Sequence, residues 1–232
     1  FQSTTTTSIS IALKAFPDVP WIFLYRHPVQ TIVSHLLPRG AKGKITNMAP
    51  CTRSFHHESP ALAKILDTYV PEGVKTNEPE AWCASHLTML CESAMSAYHS
   101  YSTYHQVNRK LSMSQRGALI NYDSLPGIIP KTVFPLFNID INQEWLNKMI
   151  DESSKYSKER TLTKGEFTGD SEDKDERATP SINHWADIIL QPAYDKMENY
   201  AKESVENIIQ STIYENENKN ENNDVENQNS MK

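Results

Sequence analysis

The clearest signal along the chain is a continuous apolar run, Trp21-Ile22-Phe23-Leu24-Tyr25, closed by Arg26-His27-Pro28. A short run without polar alternation predicts a strand buried on both faces in a parallel sheet. Pro28 suits the first turn of a following helix, where its missing N–H would be unpaired anyway. Val29, Ile32, Val33 and Leu36 then recur at helical spacing. Upstream, Ile9, Leu13 and Phe16 form a similar stripe behind Ser8, a capping residue type, and Pro17-Asp18 ends it. Helix, buried strand, helix indicates an α/β fold.

Past Leu37 the pattern loosens through a basic, glycine-containing stretch (Arg39, Gly40, Lys42, Gly43, Lys44). A shorter helix is predicted over 61–69 and a longer one over 80–104, with Trp82, Leu87, Leu90, Ala94 and Tyr98 inward. Ala118-Leu119-Ile120 with Tyr122 reads as a second strand, ended by Asp123-Ser124-Leu125-Pro126-Gly127. Trp145, Leu146, Met149 and Ile150 define another amphipathic helix. Residues 161–179 are polar and charged, hence a loop, and 182–213 return to helix with an interruption at Pro192. From Glu215 the chain is Asn/Glu-rich and is expected to be disordered. The organisation is therefore one α/β domain over 1–213 and a tail over 214–232.

Composition narrows the function classes. The formal net charge of −6 argues against a nucleic-acid partner, which needs a basic face, but leaves room for a local anion pocket. No run approaches the roughly 18 apolar residues of a membrane span. Cys51, Cys83 and Cys91 are an odd set without disulfide-framework spacing and read as free thiols. Zinc is a competing reading of Cys51 with His56 and His57, and of Cys83 with His86 and Cys91. Neither group has the paired short spacings of a structural site, so no metal is expected. No G-x-S-x-G elbow is present for a serine hydrolase. Trp82, Tyr98, Tyr101 and Tyr104 read as core and surface aromatics.

The chemistry-bearing stretch is Leu24 to Ser34. The strand delivers Arg26 to its carboxyl end, where open α/β sheets bind ligands, and a helix N-terminus follows at once. Ser34 lies two turns in, on the same polar face as Gln30. A guanidinium, helix N–H groups and a hydroxyl converging on one spot suit a phosphate. The bland alternative is an Arg26–carboxylate pair at the sheet edge and an ordinary surface serine.

With Pro28 between them and Ser34 eight positions after Arg26, this stretch resembles the sulfotransferase family, whose cosubstrate is 3′-phosphoadenosine 5′-phosphosulfate. The resemblance implies that Arg26 and Ser34 hold the 3′-phosphate. His27 departs from the family's usual Asp or Asn. Leu119 to Leu125 looks like the family's strand running into Tyr-Glu/Asp-x-Leu, and Phe137 to Ile150 like its next turn and helix. Lys164-Gly165, with Gly169 beyond, is similar to the basic glycine loop over the nucleotide, although Lys-Gly is also a common solvated turn.

What the resemblance implies is a three-layer sandwich of the P-loop nucleotide-binding type with a central parallel sheet, transferring a sulfuryl group to a hydroxyl or amine acceptor. The family's glycine-rich 5′-phosphosulfate loop has no counterpart, and the chain opens on Phe1, so the fold is expected to be N-terminally incomplete and inactive alone. Gln2, Ser3 and Thr4 stand where many members place a catalytic His, and none is a competent base, so the base stays unassigned. Two other readings remain: a non-catalytic nucleotide-phosphate-binding module, and a kinase sharing the fold.

Overall fold

A computed structural model describes residues 12–16, 19–37, 51, 64–72, 78–107, 117–153 and 171–230. It is mixed α/β, mostly helical, around a two-stranded parallel sheet. Strand β1 (Trp21–Tyr25) leads into helix α1 (Pro28–Leu36), with Pro28 in its first turn. Helix α2 (Pro79–Val107) crosses back to strand β2 (Gly117–Asn121). Then come α3 (Gln143–Ser153), α4 (Ser171–Arg177), α5 (Pro180–Trp185) and the long α6 (Gln191–Ser230). No described helix is long and apolar enough to cross a membrane.

The parallel register pairs Trp21 with Gly117 and Tyr25 with Asn121, so the strands end side by side. Gly117 leaves room for the Trp21 indole, which a Cβ there would displace. Side chains alternate as the pleat demands. Tyr25 and Leu119, with Trp21 and Phe23 partly buried, meet Met95 of α2 and Met197 and Ala201 of α6. Ala118 and Ile120, with Ile22 partly buried, meet Leu136 and Ile208. Across the β2 edge, Ser204 Oγ accepts the Leu119 N–H at 3.3 Å.

The apolar stripe of α1 behaves as its spacing predicts. Ile32, Val33 and Leu36 are fully buried against Ala81, Cys83, Ala84 and Leu87 of α2 and Ile182, Ile189 and Leu190. Trp82, Ala94 and Tyr98 likewise point inward.

Several expectations change. β1 is not buried on both faces, because Leu24 stands 49% exposed. Phe16 is outside the core and Leu13 inside it, while Ile9 and Ser8 lie outside the described residues. Helix α3 forms, yet only Leu146 and Met149 of its stripe are half-buried, while Trp145 and Ile150 are exposed. Residues 171–177, expected as loop, are helical, with Glu172 and Asp173 in the first turn and Lys174 and Arg177 in the last. That order complements the helix dipole. The interruption near Pro192 falls earlier, as a π-helical turn over Ala186–Leu190 in which the Gln191 N–H reaches Ala186 O. This widened turn sets Pro192 in the opening of α6, where its missing donor is harmless.

Cys51 and Cys83 are not free thiols but a disulfide joining residues 32 apart in sequence. Each is fully buried, and Cys91 is the free cysteine among the described residues. The bond also withdraws both thiols from the zinc reading.

At the C-terminus the helical backbone runs on to Ser230 rather than ending near Ile213. Glu, which recurs through this stretch, is an adequate helix former. Among the described side chains Ile208 is the last of α6 in the core, and Ile213 is 46% exposed. Truncation after Tyr214 should therefore move the melting temperature by no more than about a degree. A thermal scan showing a large drop would mean that the tail docks on the body.

Candidate functional site

The carboxyl ends of β1 and β2 carry Tyr25, Arg26 and His27 beside Asn121 and Tyr122. Arg26 is placed by the strand and then oriented by the helix it precedes. Its Nε donates to Gln30 Oε1 at 2.7 Å, and its Nη2 to Ser171 Oγ at 2.7 Å. The guanidinium lies over the Tyr122 ring, 4.7 Å from the centroid. Such stacking fixes the plane of the fork. Gln30, only 7% exposed, passes the network on by donating Nε2 to Asp175 Oδ2 at 3.3 Å.

Ser34 lies one turn beyond Gln30 on the same face. Its Oγ donates to the Gln30 carbonyl at 2.9 Å, and the residue is exposed. Arg26 and Ser34 thus share a neighbour without touching each other in a described bond. Thr31 secures the strand-to-helix turn, donating Oγ1 to the carbonyls of Arg26 and His27 at 3.1 and 2.9 Å. His27 occupies the N-cap without capping through its side chain. Its ring packs edge-on to Tyr194 at 5.9 Å, with a buried Nδ1 that has no hydrogen-bond partner. An Asp or Asn there would instead accept a first-turn N–H.

Behind this corner a second network ties both strands to α6. Glu198 Oε1 accepts from Tyr25 OH at 2.9 Å and from Asn121 Nδ2 at 2.7 Å, and Asn121 Nδ2 also donates to Tyr194 OH at 3.0 Å. Burial first, and the Glu198 carboxylate second, hold the Tyr25 phenol well above its usual range. The same two causes push Tyr194 up to about 12. Both phenols therefore stay protonated at neutral pH, Tyr25 donating to Glu198 and Tyr194 accepting from Asn121.

Of the sequence-predicted site residues, Arg26 stands at the strand end as expected and Ser34 on the helix face as expected. Lys164 and Gly165 lie outside the described residues, as do the Arg39–Lys44 stretch and the segment before residue 12. The sequence reading missed Ser171 and Asp175, which the fold brings to Arg26 and Gln30. Their one local signal was the dipole-matched charge order of the 171–177 segment. Among the described residues no three His, Cys, Asp or Glu side chains are grouped to hold a metal.

No protein-family model, curated protein or solved structure matches this chain.

Proposed function

We propose that the protein is a sulfotransferase-type transferase of the P-loop nucleotide-binding architecture, with Arg26 and Ser34 as ligands of the 3′-phosphate of 3′-phosphoadenosine 5′-phosphosulfate. The observation that carries this reading is Arg26 itself. It is a guanidinium at the carboxyl end of a parallel strand, immediately before a helix N-terminus and stacked on Tyr122. Two of its partners, the Gln30 amide oxygen and the Ser171 hydroxyl, are neutral acceptors. A phosphate dianion outcompetes such acceptors, because charge-assisted bonds are about twice as strong as neutral ones. Ser34 supplies a hydroxyl on the same face, and Lys164 and Gly165 are assigned to the nucleotide by resemblance. In-line transfer of the sulfuryl group to a hydroxyl or amine then depends on positioning and on fixed positive charge at the transferring group.

Calorimetry with 3′-phosphoadenosine 5′-phosphate and with adenosine 5′-monophosphate tests the site. Arg26→Ala should weaken the first by roughly 1.5–3 kcal/mol and leave the second almost unchanged. Equal losses for both would remove Arg26 from 3′-phosphate recognition. Transfer of labelled sulfate by the same sample marks a transferase, and preference for ATP with magnesium marks a kinase.

A further inference from the structure

Helix α4 is attached to the flank of α1 at three points that follow one another in register. Ser171 Oγ takes an Arg26 N–H, Asp175 takes the Gln30 amide, and Arg177 donates to the Leu37 carbonyl at the far end of α1. Arg177 is also paired to Asp173 at 3.1 Å, one turn back, and Lys174 is only 8% exposed. The helix is seven residues long, Ser-Glu-Asp-Lys-Asp-Glu-Arg, without an apolar side chain. A helix so short does not persist alone in water. Its order therefore rests on polar contacts, and one of those three uses the Arg26 guanidinium assigned above to a phosphate, while a second reaches it through Gln30.

We infer that α4 is an intramolecular clasp on the phosphate site, holding Arg26 directly through Ser171 and indirectly through Gln30 and Asp175, and released when a phosphate takes Arg26. The inference rests on the reading of Arg26 as a phosphate ligand and adds regulation to it. Ser171 Oγ and a phosphate oxygen compete for the same Arg26 N–H. Asp175 and the dianion are like charges beside the same Gln30–Arg26 donors, so holding both is unfavourable. Apparent affinity is then the intrinsic affinity multiplied by the fraction of molecules in which the clasp is open.

The test is hydrogen exchange of the 172–177 amides in the full chain, with and without 3′-phosphoadenosine 5′-phosphate, beside calorimetry on two variants. The nucleotide should accelerate exchange in this segment. Ser171→Ala/Asp175→Ala should bind it on the order of tenfold tighter than the parent chain. Asp175→Ala alone, at an exposed position that leaves the core intact, should shift affinity the same way by a smaller factor. If the nucleotide binds but slows exchange in 172–177, or leaves it unchanged, or if neither variant gains affinity, the clasp is wrong while the phosphate site stands. If the nucleotide binds neither the parent nor the variants, the phosphate site is wrong and the clasp falls with it.

Discussion

Reducing the Cys51–Cys83 bond should lower the free energy of unfolding by about 3–4 kcal/mol, the chain-entropy value for closing a loop of this length. Both cysteines sit in the core cluster with Ile32, Leu36 and Ala84, so the reduced thiols stay packed as small apolar groups. The loss therefore comes from the freedom returned to the unfolded chain rather than from a native contact. At this chain size it corresponds to a fall in melting temperature of about 10 °C. Urea unfolding with and without reductant measures it, and a Cys51→Ala/Cys83→Ala variant should reproduce the reduced midpoint. Coincident oxidised and reduced curves would show that the cross-link does not constrain the unfolded state.

Acidification should cost the fold about 3 kcal/mol through His35. This imidazole is lowered from 6.5 to about 4, first by burial and then by the neighbouring His86, itself lowered by burial. Both rings carry a buried Nδ1 without a hydrogen-bond partner. His35 lies in the last turn of α1, where the helix dipole favours a cation by about 0.3–1 kcal/mol. Burial opposes that and wins, since the shift is downward. Between the two values the unfolded chain binds a proton that the folded chain refuses. The contribution is thus complete above about pH 6.5 and is lost as the pH falls towards 4. Unfolding midpoints at pH 7 and 4.5 should differ less in His35→Leu than in the parent chain. An identical pH slope in the two would exclude His35 as the source.

The parts of the fold legible in the sequence are those where local pattern and tertiary environment agree. β1 is bounded by its own apolar run, and α1 by Pro28 and a stripe that does become core. Arg26 could be located because its position follows from where a strand ends and a helix begins. The illegible parts depend on partners distant in sequence. Helix α4 has no apolar period to read, and its order comes from Arg26, Gln30 and Leu37, some 140 residues earlier. The disulfide was hidden because an odd cysteine count does not say which two approach. Glu198 carries no motif, and only the side-by-side strand ends give it Tyr25 and Asn121 to gather. Helix α3 shows the converse, a clear amphipathic pattern that half-buries Leu146 and Met149 but leaves Trp145 in solvent.

The Ser204 contact on β2 gives the sheet a direction of growth. With the Leu119 N–H taken by a helix side chain at the middle of the strand, another strand cannot hydrogen-bond along that edge without evicting α6. Ser204 is fully buried, so the blockade is part of the core rather than a surface decoration. Any further strand that joins this sheet, from elsewhere in the chain or from a second molecule, has to align beside β1, next to the strand that carries Arg26.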